Sequence, residues 1–220
     1  MSKFNKIDTI NIIRSTGIFP VFYNKDIELS KKVVKACYDG GIRAFEFTNR
    51  GEGAHKVFEA LMAFVRAECP DMALGAGTIL DAPTAALYVQ MGADFLVSPC
   101  IVEDVISLAN RRGVPYSPGC GTVTEIVHAM ERGCELVKVF PAGNLGGPSF
   151  VKNVLAPLPW AMIMATGAVE PAEENLKAWA ESGVTAVGMG SKLFPKDVVA
   201  AGDWASISSL CKKCIDWFKA

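Results

Sequence analysis

The chain has 220 residues, half of them hydrophobic and one fifth charged, with a net charge of −1. That balance supplies a sizeable core, excludes a disordered chain and offers no basic excess for a nucleic-acid backbone. No apolar run approaches the ~20 residues of a membrane span, the polar start MSKFNKIDTINIIRSTG does not read as a signal peptide, and the seven cysteines, odd in number and mostly in apolar segments, suit reduced thiols; a cytoplasmic protein is expected.

In chain order, residues 3–16 read as a helix placed before the first strand. One rhythm then repeats to the end: a short β-rich run, a polar or glycine-rich turn, a segment of helical period. The runs are 18–23, 44–48, 73–78, 95–98, 114–117, 136–140, 161–165 and 186–189. The helical segments are roughly 26–39, 53–69, 81–91, 101–112, 122–132, 148–156, 172–182 and 204–219. Thr122-x-x-Glu125 has the capping-box pattern, and Asp81-Ala-Pro83 offers a cap with a proline in the first turn. Gly40-Gly41, Gly92, Gly113, Gly133 and Gly183 stand where left-handed residues end helices.

Strands that alternate with helices imply parallel pairing through crossovers. Eight such units predict an α/β fold, a single compact (β/α)8 TIM barrel with an extra N-terminal helix. The division expected is an N-terminal helix over 1–16, closing the barrel floor, barrel strands over 17–193 and a C-terminal helix over 204–220, in one domain. An open doubly wound sheet is the other arrangement of such units, but no G-x-G-x-x-G follows the first strand.

Chemistry in such a barrel belongs at the C-terminal ends of the strands. In "AFEFTNRG" (44–51), Phe45 and Phe47 suit the helix layer, which turns Glu46 and Thr48 inward, with Arg50 above them. In "LVKVF" (136–140), Val137 and Val139 suit the helix layer, which turns Lys138 inward. Glu46 and Lys138 then meet inside one barrel. They form either a buried structural ion pair, in which desolvation offsets attraction, or a nucleophilic amine and its proton-transfer partner. Arg50 is either an exposed arginine at a helix start or a bidentate carboxylate clamp. Lysine, glutamate and arginine together suit a 2-oxo acid. After the last two strands, "ATGAV" (165–169) and "GMGSK" (188–192) are either tight βα turns or a phosphate cradle, with Lys192 adding charge or lying exposed. His55 and His128 fall in helical segments, and no His/Asp/Glu cluster has metal-ligand spacing; neither metal nor cofactor is expected. Cys211-x-x-Cys214 has no second pair beside it.

Taken in order, "GIRAFEFTNRG", "GAGTIL", "GADFLVSP", "VPYSPGCGTVTE", "VKVFPA" and "GVTAVGMGS" resemble the 2-keto-3-deoxy-6-phosphogluconate (KDPG) / 2-keto-4-hydroxyglutarate (KHG) aldolase family, from about Ile18 to Leu193. The resemblance implies a class I, Schiff-base aldolase on a (β/α)8 barrel, a homotrimer acting on a 2-oxo acid without a cofactor. It implies Lys138 as the Schiff-base lysine and Glu46 as general acid/base. Arg50 and Thr78 would hold the pyruvyl carboxylate, Pro99, Phe140 and Thr166 would wall the pyruvyl pocket, and Gly167, Gly190 and Ser191 would form the phosphate loops. Three positions depart from the family pattern: Ala168 stands where a second glycine is usual, Val139 where a phenylalanine often follows the lysine, and Gly143 where a glutamate is. A phosphate-binding barrel of another chemistry, such as an isomerase or a thiamine-phosphate-type synthase, and a non-catalytic sensor of a sugar-acid phosphate are the rival readings.

Overall fold

The structure, a computed structural model, describes residues 2–220. Among the described residues nine parallel strands form the sheet: β1 (Ile18–Phe22), β2 (Ala44–Thr48), β3 (Ala73–Gly77), β4 (Leu96–Val97), β5 (Tyr116–Ser117), β6 (Gly119–Cys120), β7 (Leu136–Val139), β8 (Met162–Thr166) and β9 (Ala186–Met189). Their order is β5-β4-β3-β2-β1-β9-β8-β7-β6. The two ends of that order are one stretch of chain, interrupted at Pro118, which has no N–H to give to a ladder. Ser117 accepts from the Ser98 N–H at 3.2 Å on one side, while Pro118 and Cys120 accept from Lys138 and Phe140 at 3.0 and 3.1 Å on the other. The sheet therefore closes into a barrel of eight staves, the fifth broken in two. The proline lies outside the expected 114–117 run, so the alternation of side chains did not reveal the break.

Helices cover the outside: α1 (Lys6–Thr16), α2 (Ile27–Asp39), α3 (Ala54–Glu68), α4 (Ala82–Gln90), α5 (Glu103–Arg112), α6 (Val123–Glu131), α7 (Pro148–Leu155), α8 (Glu173–Glu181), α9 (Lys196–Ala201) and α10 (Trp204–Lys219). Their starts follow the caps written in the sequence. Asp81 accepts from the Thr84 N–H at 2.7 Å, and the Thr122/Glu125 capping box closes with bonds of 3.2 and 2.9 Å. α1 begins at Lys6 rather than residue 3 because Asn5 caps it, accepting from the Asp8 N–H at 2.8 Å. α9 fills the interval between 193 and 204; six residues are too few to carry a helical period. None of the described helices is long and apolar enough to cross a membrane.

Side chains alternate about the barrel wall as the pleat requires. Phe45, Phe47, Val137, Val139 and Ile163 point outward into a core shared with Val33, Phe58, Leu61 and Trp179 of the helices. Phe19, Phe95, Leu136 and Met164 point inward and, with Ile13 of α1, form an apolar floor. Beneath that floor Asp94 is fully buried. Its Oδ1 accepts from Ser2 Oγ, the Lys3 N–H and Arg66 Nη2, each at 2.9 Å, and its Oδ2 accepts from the Leu74 N–H at 3.0 Å. The N-terminal segment and α3 are thereby tied to the bottom of the barrel.

Candidate active site

Above the apolar floor the barrel interior turns polar. Glu46 is held in register with Val21 and Gly75, and Lys138 with Gly119 and Met164. Each therefore points inward, with only 1% and 5% of its surface exposed. Among the described residues no ion pair within 4.0 Å joins them, and Glu46 Oε2 has no hydrogen-bond partner. The structural ion pair that the sequence left open is thus not what the barrel contains. Burial pushes the Lys138 amine below its ordinary range; Glu46 opposes that shift and Arg50 reinforces it. Burial likewise pushes the Glu46 carboxyl up, with Lys138 and Arg50 pulling it back. A depressed amine and a raised carboxyl side by side have the protonation properties of a nucleophile and a proton shuttle.

Space for Glu46 comes from β3. A Cβ built on Gly77 would lie 1.8 Å from Glu46 Oε1, so the strand must be bare there. Gly188 does the same for Thr166, whose Oγ1 would be 2.6 Å from a Cβ. Sequence reasoning passed over Gly77 and placed Gly188 in the turn after the last strand, whereas it lies within β9. Gly75 and Gly77, alternating in a strand that gains nothing from them locally, were the signal that a side chain from a neighbour fills the gap.

Thr78 follows β3 with a φ of 60°, uncommon for a β-branched residue. Its Oγ1 accepts from Arg50 Nε at 3.3 Å, which brings the two expected carboxylate-binding residues together above Glu46. Phe140 caps Lys138, whose Nζ lies 5.0 Å from the ring centroid. Phe140, Thr48, Thr166 and Arg50 line a cavity of about 800 Å³ that opens from this point toward the loops after β8 and β9, where Gly167, Gly190 and Ser191 also border it. Thr166 Oγ1, buried, has no partner. Two orphaned polar oxygens, on Glu46 and Thr166, mark the place where a ligand would complete the hydrogen bonding. Glu46, Lys138, Thr78 and Pro99 are not themselves on the wall of that cavity; the Pro99 carbonyl backs onto Gly119, where a Cβ would come within 2.2 Å. His55 and His128 sit on α3 and α6, neither borders the cavity, and His128 bonds Glu103 at 2.5 Å.

Two of the departures from the family pattern, at Ala168 and Gly143, turn out to be one. Ala168 takes a φ of 58° despite its Cβ, so the loop keeps the left-handed turn that a glycine would make easily. Its methyl occupies the space beside Gly143, where a Cβ would lie only 2.3 Å from it. Ala168 therefore requires Gly143.

Fold and site define a class: a (β/α)8-barrel enzyme with its reactive groups gathered at the C-terminal mouth. The particular family follows from comparison. The family model "KDPG and KHG aldolase" matches residues 9–210, and the chain belongs to that family. The 2-dehydro-3-deoxy-phosphogluconate aldolase of Pseudoalteromonas atlantica is 32% identical over 98% of this chain and 97% of its own length. The KHG/KDPG aldolase of Escherichia coli is 31% identical over 97% of this chain and 98% of its own. The crystal structure of KDPG aldolase from Legionella pneumophila, with pyruvate captured at low pH as a covalent carbinolamine intermediate, superposes with a TM-score of 0.83 at 26% identity, covering 93% of this chain and 96% of that one.

Proposed function

We propose that this protein is a class I aldolase that reversibly cleaves KDPG to pyruvate and glyceraldehyde 3-phosphate, and KHG to pyruvate and glyoxylate. One observation carries the reading: a lysine sealed in the barrel, unpaired by the carboxylate it shares the space with and depressed by burial. A neutral amine is the form that attacks a carbonyl.

Lys138 Nζ adds to the C2 ketone, and the resulting carbinolamine loses water to give an iminium. Glu46, kept protonated more readily by its burial, donates the proton that lets hydroxide leave as water. As a carboxylate it then takes the proton of the C4 hydroxyl. The C3–C4 electron pair flows into the iminium as that bond breaks, leaving an enamine and the free aldehyde. Protonation at C3 and hydrolysis release pyruvate and restore the amine. Arg50 and Thr78 bind the pyruvyl carboxylate, Phe140, Thr166 and Pro99 shape its pocket, and Gly167, Gly190 and Ser191 receive the phosphate. The carbinolamine trapped in the Legionella relative supports the first step.

The chain acts as one barrel domain, in the cytoplasm, as a homotrimer. Seven free thiols, six of them buried, support a reducing compartment, and the exposed apolar side chains Leu80, Leu87 and Val123 support self-association. Steady-state release of pyruvate from KDPG tests the activity. Turnover on the order of 1–10³ s⁻¹ is expected of an enzyme working on its own substrate; no pyruvate above the spontaneous rate overturns the reading.

A further inference from the structure

Arg50 is an exposed residue, and an arginine side chain has many rotamers to lose. Its Nε bond to Thr78 Oγ1, at 3.3 Å, is a long one. What else directs it is the backbone beneath. The Arg50 N–H bonds back to the Thr48 carbonyl at 2.9 Å, and the Asn49 N–H bonds the Gly77 carbonyl of β3 at 2.8 Å. The first of these closes a three-residue γ-turn with Asn49 at its centre, so the orientation of Asn49 decides where Arg50 points.

Asn49 is in turn held from outside the barrel. Its Oδ1 accepts from Tyr88 Oη at 3.0 Å. Tyr88, on α4, is only 1% exposed, and its ring stands edge-on to Phe58 of α3 with centroids 4.9 Å apart. Phe58 packs on Phe47 at 6.3 Å, and Phe47 on Tyr23 at 5.7 Å. The chain of four rings returns to the loop it started from. A Cβ built on Gly51 would lie 1.7 Å from Tyr23 Oη, and Gly51 has no positive φ, so its bareness serves the tyrosine rather than the turn. The two hydroxyls thus flank Arg50: one is bonded to the residue before it, the other seated against the residue after it. A phenylalanine at 88 would fill the same apolar core without the cost of burying a hydroxyl; the hydroxyl is there for Asn49.

We propose that Tyr88, through Asn49, and Tyr23, against Gly51, are positioning residues that aim Arg50 at the pyruvyl carboxylate. The proposal rests on the aldolase reading above and on Arg50 as its carboxylate clamp. The gain is preorganisation: a guanidinium fork gives its full bond to a carboxylate only when both N–H groups are in line, and a fixed base leaves fewer conformations to lose on binding.

The test uses Tyr88→Phe, Arg50→Gln and the double variant, with melting temperature checking the fold. Borohydride trapping is titrated with pyruvate and with its methyl ester, which keeps the ketone but lacks the anionic carboxylate. Tyr88→Phe is expected to raise the pyruvate concentration for half-maximal adduct about three- to tenfold, the span of one neutral hydrogen bond, with the trapping rate at saturation and the ester curve unmoved. In the Arg50→Gln background the same substitution is expected to change nothing. Gly51→Ala, which drives the Tyr23 hydroxyl off the loop, should act as Tyr88→Phe does, and an unmoved curve there removes Tyr23 from the role. An unmoved pyruvate curve in Tyr88→Phe, an equal loss on the ester, or the same loss with Arg50 absent overturns the proposal. If the wild type forms no adduct with either ketone, the aldolase reading falls. Calorimetry with pyruvate then decides the positioning alone: binding weakened by Tyr88→Phe only while Arg50 is present keeps it, and unchanged binding, or none, removes it.

Discussion

Asp94 and Glu46 are both carboxylates sealed within the barrel, 0% and 1% exposed, one beneath the apolar floor and one above it. Asp94 is met by donors from the N-terminal segment, α3 and β3, with both oxygens engaged. Glu46 has one oxygen without any partner and faces an amine it does not touch. A protein that can satisfy a buried carboxylate so fully at one end has the means to do so at the other. The unsatisfied one is where the fold gives up stability, and in a barrel of this kind that is where chemistry takes place. The difference also separates two kinds of buried carboxylate: one holds elements together, the other is left open to a ligand.

Substitutions break or sharpen that contrast. The largest effect belongs to Lys138→Ala, expected to lower turnover by about 10⁴-fold or more, as loss of a nucleophile does, with the melting temperature unchanged or raised. Retained activity in a steady-state assay would remove the lysine from the mechanism. Glu46→Gln is expected to lower kcat by about 10²–10⁴-fold, and its effect on stability carries a definite sign. Because burial raises the folded-state pKa above the ordinary 4.5, the folded protein binds more protons than the unfolded between those two values. Wild-type stability is therefore fully present below pH 4.5 and is lost as pH rises through the raised pKa. The glutamine variant should be the more stable protein at pH 7, with the gap closing toward acid; denaturant midpoints across pH read this directly.

Asp94→Ala should do the reverse of Glu46→Gln: a loss of about 3 kcal/mol in unfolding free energy, since Arg66 and the backbone donors lose a buried partner, with kcat preserved at a permissive temperature. Smaller still is the linkage at the loop after β8. Gly143→Ala alone should cost about 1–3 kcal/mol by overpacking against Ala168. In the double variant Gly143→Ala/Ala168→Gly most of that should return; additive losses in the cycle would show that the two positions are independent. The finest probe is Arg50→Gln. Arg50 lowers the Lys138 pKa, so its removal should move the acid limb of the kcat/KM–pH profile to higher pH, beside the rise in KM for pyruvate that the proposed carboxylate clamp predicts.

The regular part of this molecule was legible from periodicity alone. Phe45/Phe47 against Glu46/Thr48, and Val137/Val139 against Lys138, place the inward face correctly because a strand has a period of two and a parallel strand hides its apolar face among helices. What escaped was whatever one strand does for another. Gly77 is bare for Glu46, and Gly143 for Ala168; neither can be read from its own neighbours in sequence. Pro118 splits a stave in two without changing the fold, because the residues on either side pair with different strands. α9 was missed for a simpler reason: with six residues it is too short to announce itself.

The most direct measurement is to reduce the protein with borohydride in the presence of pyruvate, then determine intact mass and map the peptides. Reduction turns an iminium into a stable secondary amine. The account predicts one adduct per chain, on Lys138, formed more readily as pH rises through its depressed pKa. Pyruvate that binds but leaves no adduct, or an adduct on any other lysine, would contradict it.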